Sequence, residues 1–417
     1  MNLIAPSVAE AKTISVDNIQ PKKNNVKRVS IYTNSVDKVE KFGGVKSDEK
    51  ATKMLLALIK SSLSGEEIDK SAFKGANYHD WAELLKVSNR SSMTGFVFDS
   101  LGKLPKGTVP VDITFKMADF VKEIENKYAR QEAVIGDLSK QLSEKGIDMV
   151  ALKGLGLSLN YPVPQHRHGR DIDIFTRLKG TVTEGHSNAT EILDDMMVEK
   201  GIKVEDYRVP DIKHSEFFYN DLMVENHKYF VNKESYPEAK IIDKILHKKL
   251  NPVEKMLPNG TKILVPSSEF NSIFLAQHAF QHYAGGGIDL HNLVDWGMHI
   301  KENGLEVPKE LKGTKIEKFM YALTNVSNKY LGTKVKVPEN PEYEKDLFSR
   351  ILNPDFKEPV PQNAGELEVL WFKTKRFVKT FNERRALTGK SFTKDFAKAV
   401  IHSIKAHLRK PETILRV

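Results

Sequence analysis

The spacing of apolar positions changes several times along the chain, and each change marks a new element. From Asp48 onward Met54, Leu55, Leu56, Leu58 and Ile59 fall on one helical stripe, and Trp81, Leu84, Leu85 and Val87 on another. The Pro105-Lys-Gly107 turn closes that stretch. Phe120, Val121, Ile124, Tyr128, Ile135, Leu138 and Leu142 then recur at three- and four-residue steps, which predicts one long helix from about Phe115 to Glu144, ended by Lys145-Gly146. Asp148 to Leu152 is a short apolar strand, after which Gly154 opens a turn into a helix that Pro162 stops. A second strand follows over Asp171 to Thr176 and a helix over Asn188 to Lys200. Ser215 to Tyr219 and Leu222 to Tyr229 read as a hairpin around Asn220-Asp221, two residues that tolerate the positive φ of its turn. Helices return over Phe274 to Tyr283, Ile288 to Lys301, Lys315 to Tyr330 and Phe372 to Phe381, and no internal repeat is evident.

This order predicts an α+β protein, a small mixed sheet with helices on a face and helical regions on either side. Five regions follow from the pattern. Residues 1–47 lack periodicity and read as a flexible leader; 48–114 form an N-terminal helical region; 115–235 hold the sheet; 236–370 form a helical region that completes a cleft; 371–417 form a basic helical tail.

The chemistry concentrates on the second strand. Asp171 and Asp173 lie two residues apart in an apolar run, so both project from one face of the strand while Ile172 and Ile174 take the other. Two carboxylates side by side beside a core repel each other, and a divalent cation resolves the conflict. Upstream, Lys153-Gly154 supplies a turn whose backbone can come close to phosphate oxygens, with the next helix presenting its first N–H groups.

Leu152-Lys153-Gly154, a short helix, Tyr161-Pro162-x-Pro164-x-x-Arg167 and then Gly169-x-Asp171-x-Asp173 are together similar to the signature of uncharacterised bacterial nucleotidyltransferases of the polymerase-beta-like superfamily. The resemblance runs from about residue 50 to 400. It implies a nucleotidyltransferase in which Asp171 and Asp173 hold Mg²⁺ or Mn²⁺ and a nucleoside triphosphate is the substrate. Glu225 is the candidate third carboxylate, since Glu225-x-His227 follows the family's carboxylate-x-His pattern; read from the residues alone it is equally an edge-strand charge. Lys153, Gly154, Arg167 and His227 are the candidate nucleotide-binding residues, with the Arg167 fork suited either to a phosphate or to a pairing with Asp171 or a neighbouring acid. The chain departs from the wider superfamily in having Gly154-Leu155-Gly156 where a Gly-Ser or Gly-Gly turn is common, which leaves Ser158 as the nearest hydroxyl.

A second constellation carries His278 and His282 one helical turn apart, then Gly285 to Gly287, then His291 and Asp295. The histidine spacing suits a metal, yet no glutamate follows the first histidine as in a zinc protease, and a packed, hydrogen-bonded pair is the commoner use of such spacing. The glycine run lacks the Gly-Lys-Ser/Thr ending of a phosphate loop and reads as a link between helices.

Composition narrows the setting. The 417 residues include no cysteine, which excludes disulfides, thiolate catalysis and cysteine zinc sites and fits the cytoplasm. No run is apolar enough to span a bilayer, and the opening residues lack the basic and apolar segments of a secretion signal. Of the net charge of +9, Trp371 to Val417 alone contributes +10, with 13 lysines and arginines against Glu383, Asp395 and Glu412. That tail is a candidate contact for an anionic partner, or a solvated helix face. The acceptor is left open among a small molecule, a protein side chain and an RNA end. A phosphotransferase and a non-catalytic nucleic-acid-binding or regulatory protein on the same fold are the competing readings.

Overall fold

The computed structural model describes residues 49–353 apart from 182–187, 210–211, 233–238 and 285–286, together with 365, 368–375, 377–378, 381 and 400. The chain divides into two units, Met1–Lys41 and Phe42–Val417, and every described residue belongs to the second. The leader expected over 1–47 therefore lies outside the described residues, as does most of the basic tail.

Four helices come first: α1 (Glu49–Ser64), α2 (Tyr78–Arg90), α3 (Thr94–Leu101) and α4 (Val111–Glu144). α2 starts where a capping box forms, Asn77 Oδ1 accepting from the Asp80 N–H at 3.2 Å and Asp80 Oδ2 from the Asn77 N–H at 2.7 Å. The long helix begins earlier than its strongest apolar stripe suggests, because Ile113 and Met117 pack into the cluster built around α1 and α3. Its second half buries Ile135, Leu138 and Leu142 in a different cluster, against the sheet.

After α4 come β1 (Ile147–Ala151), the one-turn α5 (Leu155–Ser158), β2 (Ile172–Leu178), α6 (Asn188–Glu199), β3 (Val204–Glu205), β4 (His214–Tyr219) and β5 (Leu222–His227). Next are α7 (Ala239–Lys249), β6 (Val253–Met256), β7 (Lys262–Val265), α8 (Ser268–Ala284), α9 (Leu290–Asn303), α10 (Lys315–Leu331) and α11 (Pro341–Leu352). The strands form one mixed sheet in the order β3-β4-β5-β2-β1-β7-β6, with β2–β5 and β1–β7 parallel and the other neighbours antiparallel. This is the α+β fold that the pattern predicts.

The sheet reaches past residue 235. Val253–Met256 and Lys262–Val265 form a hairpin whose second strand joins β1, within the region 236–370 expected to be helical. Its turn, Pro258-Asn259-Gly260, is closed by Gly260 at φ 85°. The expected hairpin is also present, and Asn220 and Asp221 take φ values of 49° and 62°.

The sheet separates two apolar clusters. Phe175, Val150 and Leu152 face the helical side, which also contains α1, α7, α8, α9 and α10, whereas Ile172, Ile174, Met149, Ala151, Phe217 and Val224 face α4 and α6. Asp173 shares the face of Phe175, so its carboxylate projects toward the first cluster. No described helix is long and apolar enough to cross a membrane.

Candidate metal centre and active site

The parallel pairing of β2 with β5 sets Asp173 opposite Glu225 and Phe175 opposite His227. In-register residues of a parallel pair share a face, so Asp173, Glu225 and His227 rise together beneath the helical side. Asn226, between the last two, points the other way and donates from Nδ2 to Asp194 Oδ1 of α6 at 2.8 Å; Ser215 Oγ donates to the same oxygen at 2.7 Å. These two bonds fix the alternation of β4 and β5, and with it which residues reach the site.

His227 Nε2 lies 3.0 Å from Asp173 Oδ1 and 3.4 Å from Glu225 Oε2. Its Nδ1 lies 3.3 Å from the Tyr229 carbonyl oxygen, which can only accept, so Nδ1 carries a proton. Nε2 then presents either a second proton or a lone pair to two carboxylates. A lone pair there requires a cation between the three groups, and an imidazole that donates its other N–H to a backbone carbonyl is the usual form of a metal-binding histidine. The donor atoms of Asp173, Glu225 and His227 all lie within 4.8 Å of one another, a set that fits a divalent ion.

Lys153 follows β1, and its Nζ lies 2.8 Å from Asp173 Oδ1. Burial alone would raise the Asp173 carboxyl, but Lys153 and then His227 hold it well below the usual carboxylate range. Burial likewise opposes the charge of Lys153, and Asp173 and Asp171 outweigh it, raising the ammonium. Glu225 is buried enough to be pushed up, yet His227 leaves it lowered. Asp171, one residue before β2, behaves oppositely: burial first, then the charge of Asp173, raises its carboxyl. Asp171 belongs to neither of the two donor sets that converge among the described residues, and His227 takes the place the pattern gave it.

Gly154 has φ 51° and ψ −112°, a backbone conformation that side chains resist, and an added Cβ would sit 3.5 Å from the Asp171 carbonyl oxygen. The turn thus lies directly against the segment that leads into β2. Ser158, the nearest hydroxyl, is buried and bonded to Tyr128 Oη at 2.8 Å, so it does not face a ligand.

Arg167 is 4 % exposed, and its Nε and Nη2 donate to the Asp295 carboxylate of α9 at 2.8 and 2.7 Å, where Tyr161 Oη also donates at 2.5 Å. Its acid is therefore Asp295 and not Asp171, and the fork the sequence offers to a phosphate is occupied. The same loop is pinned through His166, whose Nδ1 and Nε2 meet Asp99 at 2.7 Å and Glu125 at 3.1 Å.

Three residues at the site went unread in the pattern. His214 and Glu216 stand opposite His227 and Glu225 across the β4–β5 hairpin, which a two-residue turn at Asn220-Asp221 and strict alternation would have disclosed one residue beyond the predicted strand start. Lys213 carries no such signal. It is within electrostatic reach of Lys153, Asp173, Glu225 and Asp171, and burial followed by Lys153 lowers its ammonium to about 8. His278 faces the same charges, with burial and then Lys153 holding it well below the ordinary imidazole value, and its Nε2 lies 3.2 Å from that of His282.

Residues 77–332 match the model of a family described as uncharacterised nucleotidyltransferase, over more than half of the chain. No curated protein matches. Among solved structures, an antigenic nucleotidyltransferase-like protein from Paracoccidioides brasiliensis aligns at 13% identity and a TM-score of 0.33, covering 50% of this chain and 94% of its own.

Proposed function

The chain belongs to the uncharacterised nucleotidyltransferase family, and from that premise we propose a metal-dependent enzyme that moves a nucleoside monophosphate from a nucleoside triphosphate to an acceptor and releases pyrophosphate. The observation that carries the metal dependence is His227 Nε2 standing between the oxygens of Asp173 and Glu225 while Nδ1 is turned to the Tyr229 carbonyl. Asp173, Glu225 and His227 hold the ion, Mg²⁺ or Mn²⁺, with Asp171 beside them. When bound, such an ion offsets the charge that spreads over the transferring phosphoryl oxygens.

The remaining roles fall to the chain. Lys153 meets the triphosphate as well as Asp173, and the Gly154 backbone comes close enough to bond phosphate oxygens. Glu225, the most exposed of the three ligands, is placed to take the acceptor's proton. Arg167 acts indirectly: with Asp295 and Tyr161 it holds the loop that leads to Asp171. The catalytic unit on this reading includes β6 and β7 as well as residues 115–235. The acceptor is a hydroxyl or phosphate, and the basic tail from residue 371 is a candidate contact for an anionic one.

The test separates nucleotidyl from phosphoryl transfer. The full-length protein, incubated with each α-labelled or γ-labelled nucleoside triphosphate, Mg²⁺ or Mn²⁺ and a cell extract, is expected to place the α-label on an acceptor and release the γ-label as pyrophosphate. Transfer of the γ-label with nucleoside diphosphate as product would instead identify a phosphotransferase.

A further inference from the structure

Asp194 of α6 and Asn226 of β5 meet on the face of the sheet away from the metal centre, and both are 0% exposed. Asp194 Oδ1 accepts from Asn226 Nδ2 at 2.8 Å and from Ser215 Oγ at 2.7 Å, and the same Nδ2 donates to the Thr190 carbonyl oxygen at 3.0 Å. The two remaining oxygens, Asp194 Oδ2 and Asn226 Oδ1, are buried and have no hydrogen-bond partner among the described residues. An ionised carboxylate and an amide oxygen can only accept, so neither satisfies the other, and a buried acceptor without a donor is costly. One proton on Asp194 Oδ2 turns it into a donor and resolves both. A carboxylic acid and a primary amide are complementary at two points, O–H to amide oxygen and N–H to acid oxygen, and the second of these is already made here.

We propose that Asp194 is a positioning residue held as a neutral carboxylic acid, paired with Asn226 through two bonds and so fixing Glu225 and His227 toward the metal centre. The positioning rests on the metal centre read above; the protonated pair does not. Asn226 lies between Glu225 and His227 on β5, and its direct partner across the ladder is Ser215, so Asp194 grips both members of one cross-strand pair. Because a strand alternates, drawing Asn226 down against α6 turns its two neighbours up. The surroundings favour the neutral form. The faces that β2, β3 and β4 turn to α6 carry Ile172, Ile174, Thr176, Val204, Ser215 and Phe217, none of them titratable. Lys228, which follows β5, makes no ion pair with Asp194, and Asp195, next on α6 and itself paired with Arg208, adds a like charge. Burial is the largest influence on the Asp194 carboxyl and raises it, against the bonds from Asn226 and Ser215 and the charge of Lys228.

The experiment compares the full-length wild type with Asp194→Asn, which keeps both bonds in amide form, and with Asp194→Leu, which keeps neither. The infrared difference between wild type and Asp194→Asn at neutral pH is expected to show the carbonyl stretch of one protonated carboxylic acid. In the window above the ordinary carboxyl value of 3.8 the folded chain holds a proton that the unfolded chain has released. Urea unfolding is therefore expected to show the wild type losing stability relative to Asp194→Asn as pH rises from that value. Mn²⁺ affinity, measured by calorimetry, is expected to be the same in the wild type and Asp194→Asn and roughly tenfold or more weaker in Asp194→Leu. Asn226→Ala reads the same loss of affinity if Asp194→Leu fails to fold. No acid band, or stability curves that stay parallel, would mean an ionised Asp194 with water or a cation between the two oxygens, and overturns the neutral pair. The band with unchanged affinity in Asp194→Leu and Asn226→Ala overturns the positioning. A wild type that binds no Mn²⁺ overturns the metal centre and the positioning with it, while the band and the pH dependence still decide the pair.

Discussion

Arg167 and Asp295, 128 residues apart in the sequence, meet as a two-pronged ion pair, Nε and Nη2 donating at 2.8 and 2.7 Å in a buried setting. The pair ties the loop between α5 and β2 to α9, so the helical region beyond the sheet sets the path by which the chain enters its metal-binding strand. Removing one partner leaves an uncompensated charge inside the protein. Asp295→Leu alone is expected to destabilise by roughly 3–5 kcal/mol, whereas Arg167→Met with Asp295→Leu recovers most of that loss. Urea unfolding decides it; an Asp295→Leu variant as stable as the wild type would contradict the linkage.

The same pair gives a pH signature. Burial would raise the Asp295 carboxyl, but Arg167 and then His291 hold it at about 2, against an ordinary 3.8. A carboxyl whose folded value is depressed stabilises the protein above its unfolded value, and that contribution is lost as pH falls from about 4 toward 2. The stability difference between the wild type and the Arg167→Met, Asp295→Leu double variant is expected to shift by roughly 2 kcal/mol against the wild type across that window. Curves that stay parallel from pH 5 to pH 2 would show that the pair does not titrate there.

Gly154 holds φ 51° and ψ −112° against the strand that leads to Asp173. Gly154→Ala is expected to cost about 1–3 kcal/mol, because an alanine there is strained whatever the surrounding space. Thermal unfolding measures the cost. An unchanged midpoint would mean that the turn relaxes freely, and the close approach to phosphate read from it would lose its support.

Much of this was legible in the residues, and the failures have identifiable causes. The period-two run Asp171 to Phe175 placed a carboxylate on the helical face of the sheet, and Asn220-Asp221 announced the hairpin that carries Glu225. Which donors converge depends instead on pairing across strands distant in sequence: the β2–β5 register brings His227 to Asp173, and nothing local to either strand encodes it. Arg167 illustrates the same limit, since its fork fits a phosphate and a carboxylate equally and only the packing of α9 decides for Asp295. The β6–β7 hairpin was missed because Val253–Met256 is exposed on every residue and shows no alternation to read.

Lys153 occupies the Asp173 carboxylate at 2.8 Å, as a resident cation would. If it also meets the triphosphate, Lys153→Met is expected to tighten Mn²⁺ binding several-fold while raising the KM for nucleoside triphosphate about tenfold or more. Calorimetry of the ion and steady-state kinetics of the nucleotide report the two effects separately. Weaker binding of both would make Lys153 a structural support for Asp173 and not a competitor of the ion.

On the proposed function, Asp173, Glu225 and His227 form a metal centre for nucleotidyl transfer. This is tested most directly by the rate of pyrophosphate release from a nucleoside triphosphate by the full-length protein, with and without Mg²⁺ or Mn²⁺, in the wild type and in Asp173→Asn. Release that requires the ion and falls about 10²-fold or more in a folded Asp173→Asn variant is the predicted result. Release at the wild-type rate in that variant, or at the same rate after the ion is removed by a chelator, would contradict it.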